Sequence, residues 1–284
     1  MKTIIIGRNI AGRVSGYLVY RLMVPPGFRP FEAVSSQTTM RFLLYNIRYA
    51  TGIGRRFHLP VPYSGLFKPT NGNLAEIVDF IKLIGPDIIG LLEIDCGSYR
   101  CGKTNQAETV ASEIGHHSVY QSKYCSDSLA QKVPVVNKQG NAFLTNQPIE
   151  ASRFHYFREG IKRLVIELEL EKCTLFLVHL SLKFRHRQYQ LQDLHSMVMM
   201  AKKPVIVAGD FNVFWGDREL ELFLAATGLK NANGDGQPSH PSRAPRRQLD
   251  FIFHSPEIRT SRFHIPHVKL SDHAPLVCDF DMNN

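Results

Sequence analysis

Apolar residues fall into short continuous runs that alternate with segments of helical spacing, and the first convincing run opens at Met40. MRFLLYNI reads as a strand. In NLAEIVDFIKLIGPD, Leu74, Ile77, Val78 and Ile81 recur at helical spacing, with Asn71 or Asn73 expected to cap the helix and Gly85-Pro86 to stop it. PDIIGLLEID is a continuous apolar strand of the kind buried on both faces. A second helix is predicted over Gln106–Ile114. GNAFLT, KRLVIELEL and CTLFLVHLS follow as strands, the last two joined in a hairpin across Glu171-Lys172. Arg187–Met200 is predicted helical, PVIVAGDF a strand, Glu219–Ala226 a helix, and QLDFIFHS and APLVCDFDM strands. Pro and Gly gather at Pro60–Gly72 and Asn233–Pro245, which read as long loops. The pattern is α/β, with one domain over residues 40–284.

Residues 1–39 stand apart. Met1 to Phe31 carries five basic residues and no acid, and its apolar runs are broken by Arg or Gly. Nothing there approaches the ~18 apolar residues of a spanning helix, and no secretory cleavage pattern is evident. The segment is expected to be a weakly ordered appendage, with peripheral membrane contact the alternative. The 284 residues carry 34 Lys and Arg against 25 Asp and Glu, a net charge of +9. That balance favours an anionic partner. Five cysteines without a zinc spacing imply reduced thiols and a cytoplasmic location, and a monomer is expected.

The chemistry gathers where strands end. Asn46 (LLYN), Glu93 (GLLE), His179 (FLVH), Asp210 with Asn212 (VAGDFN) and Asp250 (QLD) lie at or near strand ends, and Asp272-His273 precedes the last strand. Singly, each has an ordinary explanation as a cap, a turn or a solvated charge. Together they match the needs of phosphodiester hydrolysis: activating water, neutralising phosphoryl charge and stabilising a leaving oxygen. Asp210 and Asn212, two apart, are expected to face one point. Hard oxygen donors, Glu93 with Asn46 or Asp272, suit Mg²⁺ or Mn²⁺. Asp272 and His273 are adjacent and point apart in an extended chain, so Asp250 is the candidate carboxylate for orienting His273.

NIR, LLE, VHLS, GDFN, LDFIF and SDHAPL, in this order, resemble the endonuclease/exonuclease/phosphatase superfamily from Met40 to Phe280. The resemblance implies a DNase I-like four-layer α/β/β/α sandwich. It implies metal-binding roles for Glu93, Asn46 and Asp272, and catalytic roles for Asp210, His273, His179, Asp250 and Asn212. Asp210 and His273 stand as joint candidates for accepting the proton. Asn141 in GNAFLT matches an active-site Asn on a preceding strand.

Basic residues leave the same strands: Arg48, Arg55 and Arg56 after Asn46, KFRHR (Lys183–Arg187) after His179, and Arg243, Arg246 and Arg247 before Asp250. Arg185 and Arg247, with Asn141, are the candidates for binding substrate phosphate. Phe214 and Trp215 are expected to cap the core, with base stacking or an acyl contact as the alternative. The expected activity is metal-dependent phosphodiester hydrolysis on nucleic acid. The alternatives are the same chemistry on a phospholipid, phosphoinositide or lipid-anchor head group, and a non-catalytic anion-binding module. The apolar loop FHLPVPYSGLF would suit a membrane-facing lip.

Overall fold

The computed structural model describes residues 39–53, 70–124 and 133–281. The predicted N-terminal appendage, the FHLPVPYSGLF loop, Arg55 and Arg56 lie outside the described residues. Among the described residues twelve strands form two six-stranded sheets. The first has the order β11(Arg259–His264), β12(Leu276–Asp281), β1(Thr39–Asn46), β2(Ile88–Asp95), β4(Gln139–Thr145), β3(His117–Ser122). The second has β5(Ile149–Tyr156), β6(Leu164–Leu170), β7(Thr174–His179), β8(Val205–Asp210), β10(Asp250–His254), β9(Lys230–Asn231).

Strand alternation builds the layers. Phe42 and Leu44 of β1 face the second sheet, where Leu175, Leu177, Ile206 and Ala208 meet them in one core. Leu43 and Tyr45 point the other way, onto α1(Asn71–Ile84) and α2(Gln106–Ile114) through Ile77, Ile81 and Val110. On the far face Phe176, Val178, Val207 and Phe253 pack on α3(Phe184–Met200) and α4(Glu221–Thr227) through Leu194 and Phe223. Period-two burial on both faces of both sheets therefore gives four layers, α/β/β/α, and the fold is DNase I-like. Among the described residues no helix is long and apolar enough to cross a membrane.

Each sheet holds one parallel pair at its centre. β1 and β2 are joined through α1, and β7 and β8 through α3. Parallel neighbours end at the same edge, so Asn46 lies beside Leu92, and His179 pairs in register with Asp210. β10 runs antiparallel to β8 and starts where β8 stops, which sets Asp250 opposite Asp210. One end of the sandwich thereby collects polar side chains from both sheets.

The helix caps differ from expectation. Thr70 precedes α1 without a side-chain capping bond, and the Asn73 amide donates instead to the Leu270 carbonyl at 3.0 Å. Gly85 ends α1 in the left-handed conformation, as Gly-Pro at that point predicts. α3 begins three residues earlier than predicted, at Phe184.

Candidate active site

Asp210 sits at the centre of the strand ends. Asn46 Nδ2 donates to its Oδ2 at 3.3 Å, the link from the first sheet to the second. His179 Nε2 lies 3.2 Å from the same oxygen, and His273 Nε2 lies 3.8 Å from it. Oδ1 accepts the backbone N–H of Asn212 at 3.0 Å. Burial alone would raise the Asp210 carboxyl. His179, His273 and Lys162 around it outweigh burial and hold it well below the usual range, so it is ionised.

The segment that presents Asp210 leaves no room for a larger residue before it. A Cβ on Gly209 would lie 1.9 Å from the Val178 carbonyl oxygen of β7. The glycine of GDFN is thus required by the close approach of two strands.

Asp250 supports His273. Its Oδ2 accepts from His273 Nδ1 at 2.8 Å and from Ser239 Oγ at 2.6 Å. This bond fixes the ring so that Nε2 faces Asp210. Burial would lower the His273 pKa, but Asp250 and Asp210 raise it to about 10, so the ring is protonated at neutral pH. Its face packs against His240, with centroids 4.6 Å apart.

Glu93 is reached through an irregularity in β2. The register with β4 shifts between Leu91 and Ile94, and Glu93 takes φ 54°. The bulge turns the carboxylate out of the sheet, at the conformational cost of a left-handed non-glycine residue. Asn141 Oδ1 of β4 accepts the Glu93 backbone N–H at 3.2 Å and so braces the bulge. Glu93 Oε1 faces cations: Lys162 Nζ at 3.8 Å and Lys123 Nζ at 3.9 Å, with His179 Nε2 at 3.9 Å. Burial favours the neutral acid, yet these groups together hold the carboxyl at about 2. Lys123 is itself buried, which lowers its pKa to about 8 against the pull of Glu93.

His179 contacts the Lys162 ammonium through Nε2. Burial and that ammonium lower its pKa to about 4, so the ring is neutral. His179 Nδ1, Asn141 Nδ2 and Asp250 Oδ1 are buried without a hydrogen-bond partner. Such atoms cost ~1–3 kcal/mol each when nothing meets them.

Three expectations need correction. The i, i+2 relation of Asp210 and Asn212 fails because β8 ends at Asp210 and Asn212 takes φ 53°. The Asn212 Nδ2 donates to the Leu180 carbonyl at 2.8 Å and ties the loops after β7 and β8 together. Nor does KFRHR act as one basic patch. Arg187 turns inward and pairs with both carboxylate oxygens of Glu219, at 2.8 and 2.7 Å from Nη2, because its guanidinium is otherwise buried. Trp215 does not cap the core: it is 89% exposed, while Phe214 packs edge-on against His240.

Arg185 is exposed and reaches Tyr189 on its own helix at 3.4 Å. Arg247 is exposed on the loop that bridges back to His240. Arg48 reaches Asp272, Nε to Oδ2, at 3.5 Å. Lys123, Lys162, Ser239 and His240 escaped sequence reading. The lysines stand in polar segments that carry no motif, and Ser239-His240 lies in a loop rich in Pro and Arg. Only a strong signal for β3 would have pointed to Lys123.

Carboxylate and imidazole donors converge in two overlapping groups, Asp210–Asp250–His273 and His240–Asp272–His273, whose ligand atoms lie within 4.8 Å of one another. These groups could bind a metal ion. Glu93 stands outside both, among cations.

Residues 43–273 match the Endonuclease/Exonuclease/phosphatase family. A UPF0294 protein of Yersinia enterocolitica is 27% identical over 157 residues, 55% of this chain and 54% of its own. The chain thus matches about half the length of that relative. The human Nocturnin catalytic domain, solved with a bound sulfate anion, superposes with a TM-score of 0.61 at 21% identity, over 86% of this chain and 94% of that one. A mannosyl-6-phosphatase of Bacteroides thetaiotaomicron superposes with a TM-score of 0.62 at 14% identity, over 85% and 99%. At these identities the structural likeness is one of fold. With the match over most of its length and the four-layer sandwich, the chain belongs to the endonuclease/exonuclease/phosphatase family.

Proposed function

We propose that the protein is a phosphodiesterase dependent on Mg²⁺ or Mn²⁺, which hydrolyses its substrate by in-line attack of water. The observation that carries this reading is the ionised Asp210, held between Asn46, His179 and His273 at the meeting point of the two sheets. Asp210 orients the attacking water and draws on its proton. His273, kept protonated by Asp250, faces the charge that develops on the phosphoryl group. Lys123 and Lys162 supply two further cations beside Glu93.

The donor set suits a hard divalent cation: Glu93 and Asp272 are ionisable carboxylates with side chains 18% exposed, at a mouth where water can complete the coordination. Glu93, Asn46 Oδ1 and Asp272 would hold it. When bound, such an ion neutralises phosphoryl charge and stabilises the leaving oxygen. The phosphatase among the structural relatives is in keeping with phosphoester hydrolysis as the reaction class.

Two substrate classes fit the net charge of +9: a nucleic acid strand and a phospholipid head group. The exposed Trp215 and its apolar neighbours favour the second. The test is hydrolysis of bis(p-nitrophenyl) phosphate and p-nitrophenyl phosphate with Mg²⁺ or Mn²⁺, with EDTA as control. Metal-dependent cleavage of the diester supports the reading. Turnover that survives EDTA would refute the metal requirement.

A further inference from the structure

The loops framing the active site are fastened to one another from below. Gln190 Nε2 donates to the carbonyls of Glu159 at 2.9 Å and Lys162 at 2.7 Å, and its Oε1 accepts the Ser181 N–H at 2.9 Å. Arg187 donates to the Ser181 carbonyl at 3.1 Å and pairs with Glu219 beyond β8. Phe214 packs against His240, with centroids 6.1 Å apart, which joins the loop after β8 to residues 239–248. Gln190 and Arg187 are both buried. The backbones of the loops that form the rim are therefore tied to one another.

What this rim presents is unusual for a face bathed in water. Trp215 is 89%, Ile161 72%, Leu182 61% and Phe184 55% exposed. Lys183, Arg185, Arg246 and Arg247 stand exposed on the same loops, where residues 180–187 and 239–248 contain no acid, against the exposed Glu159 beside Ile161 and Asp217 beside Trp215. Clustered apolar side chains at a functional mouth mark an interaction site. A single-stranded nucleic acid would be met by stacking on aromatic rings, and the aliphatic Ile161 and Leu182 offer no such platform. A bilayer interface takes all of these groups together: Trp at the head-group level, aliphatic and Phe side chains below it, and Lys or Arg against acidic head groups.

We propose that this rim is a docking surface for an anionic lipid bilayer. Trp215, Phe184, Leu182 and Ile161 enter the boundary between head groups and acyl chains, while Lys183 and Arg247 meet the acidic head groups. The mouth between them then faces the membrane.

Trp215 is the chain's one tryptophan and reports on its own burial. Full-length protein is titrated with vesicles of phosphatidylcholine containing phosphatidylglycerol, and with phosphatidylcholine alone. The emission of Trp215 shifts to the blue with the acidic vesicles only, and rising salt weakens the shift. In cosedimentation, Trp215→Ala lowers partitioning about tenfold, the scale expected for removing one large buried apolar side chain. The pair Lys183→Glu and Arg247→Glu lowers it further, since each basic residue near an acidic surface is worth about fivefold. Three outcomes would overturn the proposal. One is emission that stays at its solvent-exposed position with acidic vesicles. Another is a single-stranded oligonucleotide perturbing Trp215 at lower concentration than vesicles do. The third is unchanged partitioning of both Trp215→Ala and a Leu182→Ser, Phe184→Ser variant. No arm reads turnover, so docking stands or falls apart from the hydrolytic reading.

Discussion

The two sheets meet at one mouth but furnish it differently. His179, Asp210 and Asp250, all from the second sheet, are at most 2% exposed, and each lies within hydrogen-bonding distance of another site residue. Glu93, from the first sheet, keeps 18% of its side chain exposed, takes a left-handed backbone, and meets its cations only at 3.8 to 3.9 Å. The neighbouring Arg48, Tyr49 and Ala50 also take positive φ, just after β1. The water-excluding half is already arranged for handling protons, where a low dielectric strengthens each contact. The strained and wetter Glu93 carboxylate is the group suited to receive an ion, because it meets its neighbours only at these longer distances.

From this contrast the largest effect falls on the second sheet. Asp210→Asn should lower kcat by about 10⁴-fold, the upper range for losing a positioned acid–base group, with the thermal unfolding midpoint little changed; steady-state kinetics and a melt measure both. Glu93→Gln should cost less, about 10³-fold in turnover, and should weaken Mn²⁺ binding in calorimetry. Equal metal affinity in that variant would remove Glu93 from the metal site. Away from the chemistry, Arg187→Ala should destabilise the fold by about 3 kcal/mol in urea unfolding, because it leaves the Glu219 carboxylate without its buried partner. Smallest of all, Trp215→Ala should change stability by less than about 0.5 kcal/mol and leave turnover of a soluble diester unaltered, since the ring touches solvent.

Sequence patterning reached the eight interior strands and none of the four edges. β3, β5, β9 and β11 all lie at sheet edges. HSVYQS, IEASRFHY and RTSRFH are half-exposed, so they lack the apolar runs that marked LLYN or VIVAG. The same logic divides the site. Residues at the ends of buried strands stood out because a carboxylate, an amide or an imidazole there breaks an apolar run. Adjacency in the chain also pointed away from Asp272 and towards Asp250 as the partner of His273, and the two are joined at 2.8 Å. Lys123 and Lys162 were invisible: each follows or precedes a polar segment, where a lysine is the commonest kind of solvated residue. Asn212 was misread in geometry because strand periodicity was carried past the last residue of the strand. Arg187 was misread because a basic run gives no hint that one member turns inward to a glutamate 32 residues away.

The central claim is that groups from the two sheets act as one catalytic unit around Asp210. The most direct test compares metal-dependent diester turnover of Asp210→Asn, Glu93→Gln and the double variant. Residues acting as a unit give strongly non-additive losses, so the double variant should be about as slow as Asp210→Asn alone. Losses that multiply, or a Glu93→Gln enzyme with wild-type turnover, would contradict the account.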